Sequence, residues 1–426
     1  MNTLFTVRRK LQCLFIASLF ALPLSRLHAQ VFTLQNILDT IATQSPSMKM
    51  YNAEIQSMDA AADGAKSWMP PEFGAGFFMT PYNIKMWSKD DMGNPGMGQF
   101  MLSGQQMFPN QKQKAEYNFM SAMSSAEKFR KQATLNELLA EAKKNYYTRI
   151  ILLKKKTVLA ENEKLLTFMI TDAEVRYKNN LGKLDVYYKV KAEQGNLQNM
   201  QITLDNEIRL KQIILNVLMN RKHSDSLVLD TAYTLKDYNN AVFDANYFDN
   251  RRSDIRALDE DIKTNKLKQE SERAKLKPEF GIKYDHMFAW GGSPWQFSLM
   301  GMMRLPLVPW ASKMSKANIK SIDYKNQALV EQKNMMYNQM AGMSYGIRNE
   351  INAKRKQIAM YETSIIPSLK KNYQVTQTAY SQNTAELFML YDAWQSLNTI
   401  QLDYLEQLQQ LLVLQTELEK VLEIRI

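Results

Sequence analysis

The chain has 426 residues, a formal charge of +11, 45% hydrophobic residues, one cysteine, 15 glycines and 12 prolines. With a single cysteine, Cys13, a disulfide framework and a thiolate metal site are both excluded. The basic balance invites nucleic acid, but Lys and Arg alternate with Glu and Asp along helical faces instead of clustering. That is the pattern of solvated helix surface, and no nucleic-acid partner is expected.

Residues 1–29 read as a secretory signal peptide. Arg8, Arg9 and Lys10 form a positive start, Leu11 to Leu24 a short apolar run, and Leu27-His28-Ala29 a small-residue cleavage site. The run is too short to span a membrane. Removing this segment takes out Arg8, Arg9, Lys10 and Arg26 and no acid, which lowers the formal charge from +11 to +7. Cys13 leaves with it, so the exported chain has no cysteine to carry a lipid.

A first unit spans 30–241. A helix runs into Pro71-Glu72-Phe73-Gly74, and a β-hairpin follows over 72–108. In it Phe73, Ala75 and Phe77 alternate with small or polar residues, as do Phe100 and Leu102 with Gln99, Met101 and Ser103. No proline occurs between Pro109 and Pro278, so long helices are expected over 110–179 and 181–221, broken at Asn180-Leu181-Gly182. At 1.5 Å per residue the first would be on the order of 100 Å long.

A second unit, 242–426, says the same again. Pro278-Glu279-Phe280-Gly281 repeats the earlier tetrapeptide 207 positions on, and a hairpin over 279–307 follows. Phe280, Ile282 and Tyr284 alternate with Gly281, Lys283 and Asp285, and Phe297 and Leu299 alternate with Gln296, Ser298 and Met300. Helices are expected over 309–380 and 384–424, broken at Asn383-Thr384. In the last helix Leu390, Leu397, Tyr404, Leu411 and Leu418 recur every seven residues. Ala393, Ile400, Gln407, Leu414 and Val421 follow three further on, which marks a coiled-coil seam. The fold class is therefore mainly α with a small β part: duplicated long-helix coiled-coil hairpins plus two β-hairpins.

Catalysis has little support. Outside the leader only His223 and His286 remain, and no metal, phosphate-loop or nucleophile-elbow motif occurs, so neither enzyme activity nor a cofactor is expected. Four strands with open edges are unstable alone and forbidden in a membrane, where barrels need at least eight strands. Two chains would supply eight and three would supply twelve. The aromatics Tyr82, Trp87, Trp290 and Trp295 read either as a membrane-interface belt or as ordinary turn and core residues.

Over nearly the whole chain beyond residue 29, the tandem repeat, the Pro-Glu-Phe-Gly junctions, the proline-started helices and the paired breaks resemble the TolC-type outer-membrane efflux family. The resemblance implies a homotrimer whose twelve-stranded barrel lies in outer-membrane lipid of a Gram-negative bacterium. It also implies an α-helical tunnel through the periplasm, docked to a periplasmic adaptor and an inner-membrane pump. The family usually has glycine at Asn180 and Asn383; asparagine is the next-best residue for a left-handed turn. By the resemblance Asn180, Leu181, Gly182, Asn383 and Thr384 are adaptor-docking tips. The family's acidic rings at the tunnel mouth fall on Asp392 and Met389. Asp392 reads either as a gate residue or as a solvated aspartate, and Met389 puts a doubled ring in doubt.

With no nucleotide motif and no apolar helix of membrane length, the chain would be a passive exit duct. Its 27 methionines hint at cargo, because thioethers favour monovalent copper and silver. Strand parity places Met101, Met107, Met287, Met300 and Met302 on the face opposite Phe100, Phe297 and Leu299, as candidate lumenal metal contacts. They read either so, in likeness to the family's heavy-metal branch, or as adaptable apolar filler. The alternative from another class is a periplasmic coiled-coil scaffold or adaptor without a pore.

Overall fold

A computed structural model describes residues 31–179, 184–238, 242–306 and 308–424. The segment read as a signal peptide lies outside the described residues. A short strand β1 (Val31–Phe32) leads into helices α1 (Leu34–Gln44) and α2 (Pro46–Gly64), which are separated at Ser45 by Pro46. Proline fits the first turn of a helix and disfavours helix in the residue before it. The single helix expected before the first hairpin is therefore two.

Strands β2 (Glu72–Phe77) and β3 (Gln99–Met107) follow, then the very long helix α3 (Gln111–Lys178) and α4 (Leu184–Leu218). A connecting body holds β4 (Val228–Leu229), paired in parallel with β1, and the short helix α5 (Ala245–Asp249). Helix α6 (Ser253–Ala274) leads into β5 (Glu279–Ala289) and β6 (Gln296–Arg304). Helix α7 (Pro309–Met360), a π turn (Tyr361–Ile365), α8 (Ile366–Ser381) and α9 (Leu387–Leu422) complete the chain.

Three expectations need correction. Neither helix runs up to its Pro-Glu-Phe-Gly junction: α2 stops at Gly64 and α6 at Ala274, and each ends in a turn before the prolines are reached. The helix expected over 309–380 is interrupted at 361–365. Pro367 has no N–H to return to the preceding turn, and the backbone widens just before it. The helix expected over 181–221 ends at Leu218, residues 181–183 lying outside the described residues, and the one expected over 384–424 runs over 387–422.

The sheet is an antiparallel meander in the order β2-β3-β5-β6, so β2 and β6 are its free edges. Helix α3 packs against α2, α4, α6 and α9, and α9 in turn packs against α7 and α8. One core lies where the β1–β4 body wraps the bundle, built from Ile37, Ile41, Tyr146, Ile150, Phe243 and Leu412 among others. A second runs toward the helix breaks and includes Leu159, Leu166, Val190, Leu197, Trp394 and Tyr380. The α9 heptad enters these cores with Leu390, Leu397, Leu411 and Leu418 buried. Its polar member, Gln407, accepts a hydrogen bond from Lys354 of α7.

The body is fastened to the bundle by charge. The buried Glu419 carboxylate lies 2.8 Å from both Lys143 and Lys236 and accepts a hydrogen bond from Tyr238 at 3.0 Å. Burial opposes its charge, but the hydrogen bonds from the two lysines outweigh this and hold the carboxyl below its ordinary value. Arg252 donates to the Val421 carbonyl at 2.6 Å, and Glu423 accepts from the Ser253 backbone N–H at 2.6 Å. The end of α9 and the start of α6 are thus capped together.

A buried ion pair broken on one side leaves an uncompensated charge. We expect Glu419→Gln to destabilise the fold by roughly 3–5 kcal/mol, measured by denaturant unfolding in detergent. The lowered carboxyl contributes stability above the ordinary carboxylate pKa of about 4.5 and loses it as pH falls through the folded value. The gap between wild type and variant should therefore narrow in acid; a gap independent of pH would show that Glu419 contributes no such linkage.

Candidate functional site

The sheet has two chemically distinct faces, and its register fixes which residues share them. On one face lie Phe73 and Phe77 of β2, Phe100 and Leu102 of β3, Phe280, Ile282 and Tyr284 of β5, and Phe297, Leu299 and Met303 of β6. Most of these large apolar groups are exposed, Phe73 at 83% and Phe297 at 70%. A soluble domain seldom displays so continuous an apolar surface.

The opposite face is polar and rich in methionine. All five candidate methionines lie on it. Met101 is directly opposite Met287, Met300 is opposite Lys283, and Met107 and Met302 flank Gly281 from either side. A Cβ at Gly281 would come within 2.6 Å of both the Gln106 backbone carbonyl and the Met107 Sδ, so glycine is what lets β3 and this thioether lie so close to β5. Between the methionines sit ion pairs: Lys283 with Asp285 at 3.0 Å, and Glu279 with Arg304 at 3.1 Å and Lys112 at 3.4 Å. Thioethers on neighbouring strands are the one donor set here suited to a soft metal ion. Among the described residues no group of three or more His, Cys, Asp or Glu side chains could hold a metal.

At the hairpin ends the aromatics gather on the apolar side. Trp87 lies 5.3 Å from Phe77 and 5.9 Å from Trp290, ring centre to ring centre. The Trp290 indole covers Gly98 so closely that any side chain there would collide. Gly291 and Gly292 take left-handed backbone (φ 76° and 89°) in the β5–β6 turn. Trp295 packs on Phe288, and Tyr82 is fully exposed.

At the other extreme of the molecule, Asn383 has φ 61°, the left-handed turn that asparagine tolerates. Thr384 closes the end of α8 by donating from its N–H and its hydroxyl to the Ala379 carbonyl, both at 2.9 Å. Asn180, Leu181 and Gly182 lie outside the described residues. A cluster that sequence reasoning missed ties the two breaks together. Arg176 of α3 donates to Asp172 at 2.7 Å, to the Tyr380 carbonyl at 3.2 Å and to the Asn383 side chain. Its guanidinium stacks 4.2 Å over the Tyr380 ring, whose hydroxyl donates to Asp172 at 2.6 Å. Burial and the Asp172 hydrogen bond push the Tyr380 phenol well above its ordinary value. The only sequence signal was the Asp172–Arg176 spacing of one helical turn. Tyr177, three residues before the first break as Tyr380 is before the second, is exposed instead.

Met389 and Asp392 are both exposed on α9, and Asp392 has no hydrogen-bond or ion-pair partner among the described residues. Counting by sevens from Met389 gives Ser396, Asp403, Gln410 and Glu417. Gln410 and Glu417 line a groove shared with Lys144 of α3, Lys211 of α4 and Lys354 of α7. Gln415 and Glu419, the residues of α9 that meet the connecting body, face another way. Burial raises the Tyr391 phenol, with the charges of Glu193 and Asp392 adding to it.

No family model matches the sequence, and no curated protein matches it. Solved structures do. The outer-membrane protein VceC of Vibrio cholerae is 15% identical over 91% of this chain and 95% of its own, with a TM-score of 0.72. The MtrE outer-membrane channel of Neisseria gonorrhoeae, in its open state, is 12% identical over 91% of this chain and 88% of its own, at 0.71. The Campylobacter jejuni CmeC outer-membrane channel is 12% identical over 91% of this chain and 85% of its own, at 0.68. At these identities it is the fold that is shared: this chain folds as those outer-membrane channels do, along nine-tenths of its length.

Proposed function

We propose that the protein is the outer-membrane channel of a tripartite efflux system, a homotrimeric passive duct in a Gram-negative bacterium. The two-faced sheet with open edges carries this reading. Three copies joined β6 to β2 would close a twelve-stranded barrel, turning the apolar face to lipid and the methionine face to the lumen. The shared fold with solved outer-membrane channels supports it. No described helix is long and apolar enough to cross a membrane, so β-strands are the element left to do so. The helices would form the periplasmic tunnel. Transport energy would come from an inner-membrane pump, reached through a periplasmic adaptor that meets the breaks at Asn180, Leu181, Gly182, Asn383 and Thr384. The purified protein should be a detergent-stable trimer of the outer-membrane fraction with single-channel conductance. Thr384→Trp should keep both properties and lose export; a monomer that never conducts would overturn the channel reading.

The mouth is assigned to the tips of the same helices. Asp392, exposed and without a hydrogen-bond or ion-pair partner among the described residues, would form a ring of three carboxylates that attracts cations, with Met389 one turn nearer the break. Asp392→Ala should reduce cation preference in planar bilayers, and an unchanged current–voltage curve would return Asp392 to plain solvent exposure.

For cargo we infer monovalent copper or silver, because Met101, Met107, Met287, Met300 and Met302 share one sheet face and Met101 directly faces Met287. Three copies would line the pore with soft donors that bind weakly enough to pass ions on. Replacing all five with leucine should keep the fold and conductance while sensitising cells to copper or silver. Full metal tolerance in cells that lack the protein and any homologue would rule this cargo out.

A further inference from the structure

The helices that leave the sheet carry a band of charge and tryptophan just beyond its end. Trp68, in the connection from α2 to β2, and Trp310, the second residue of α7, are 62% and 81% exposed. Around them Lys114, Arg273, Lys313 and Lys316 are exposed and make no ion pair among the described residues. The acids of the same band are mostly engaged. Asp63 holds Lys66 at 2.9 Å, Glu272 holds Lys275 at 2.6 Å, Glu116 accepts from Ser271, and Glu279 is shared by Lys112 and Arg304. Glu270 alone is exposed without a bond. The band therefore presents surplus positive charge.

Its position is as informative as its sign. Lys114, Lys313 and Lys316 are the fourth, fifth and eighth residues of their helices, about 6–12 Å beyond the helix starts at 1.5 Å per residue. A headgroup layer is roughly 5–7 Å thick on each side of the hydrocarbon, and the Debye length is about 8 Å. The charges therefore fall where headgroups would lie. Lys112 reaches Glu279 on the polar face of the sheet, and Lys114, two residues on, projects to the opposite side of the helix. Phe73, Phe280 and Met303 bring the apolar face of the sheet down to the same level. Apolar surface giving way to tryptophan and then to unpaired lysine is the order of a membrane boundary.

We propose that this collar binds anionic phospholipid headgroups in the periplasm-facing leaflet of the outer membrane, a proposal that rests on the barrel reading above. It seats the trimer at a fixed depth by charge where the strands seat it by apolar area. The test uses the intact trimer in phosphatidylcholine nanodiscs with and without phosphatidylglycerol, counting retained lipids by native mass spectrometry. Wild type should retain phosphatidylglycerol preferentially, and high salt should erase the preference. A Lys114→Gln, Lys313→Gln, Lys316→Gln variant should lose apparent affinity on the order of tenfold or more, since each lysine near an anionic surface contributes about fivefold. The matching Lys→Arg variant should keep it. Equal retention of both lipids by wild type, undiminished preference in the Gln variant, or displacement by inorganic phosphate at matched concentration would overturn the collar. Conductance in pure phosphatidylcholine should be the same for all variants. A wild-type trimer that fails to conduct there tells against the barrel instead, so the two failures are distinguishable.

Discussion

Backbone hydrogen bonds at the two free edges of the sheet constrain everything else in this molecule. Along Glu72–Phe77 and Gln296–Arg304 the main chain is paired on one side only. Unpaired N–H and C=O groups cost several kcal/mol each once water is removed. An exposed flat edge is also an invitation to pair with another copy. The sheet cannot satisfy itself, because a closed barrel needs at least eight strands and one chain brings four. In the proposed assembly the helices serve this need, holding the two hairpins in a register that a neighbouring copy can continue.

The helices meet their own stability problem by different means. A helix of the length of α3 has little apolar periodicity over its whole course and leans on different partners in turn: α2 and α6 near the sheet, then α9 and the β1–β4 body, then α4. Between these zones charge and hydrogen bonds take over from apolar burial, as at Glu419 with Lys143 and Lys236 and at Arg176 with Asp172 and Tyr380. The tie at the tips joins helices some 200 residues apart in sequence, by charge and hydrogen bonds set around the buried Tyr380 ring.

Much of the architecture was legible because long helices and two-faced strands obey simple periods. The absence of proline over long stretches announced the helices. The alternation of Phe297 and Leu299 with Gln296, Ser298 and Met300 announced the sidedness of the sheet, and the heptad from Leu390 to Leu418 announced the α9 seam. What stayed hidden depended on contacts between distant residues. Nothing local tells Tyr380, which is buried on Arg176, from its counterpart Tyr177, which is exposed. The β1–β4 pair is two residues on each strand, too short for any pattern. The ends of α2 and α6 fell short of the expected junction in hydrogen-bonded turns that carry no proline of their own. The assignments of lumen, gate and docking tip depend on neighbouring copies and partners, which one chain's pattern does not contain.

The π turn at Tyr361–Ile365 has a consequence for how this sequence relates to others. Such a turn is one surplus residue in an otherwise regular helix, so α8 is rotated by about 100° from where an unbroken α7 would have carried it. Residues above and below the turn belong to two different phases, and no single heptad can be written through both. A relative without the surplus residue would align correctly with this chain only if a gap were opened inside a helix, where alignments are least willing to place one. At identities near 12%, that single residue would shift the tips of the helices out of frame with their true counterparts.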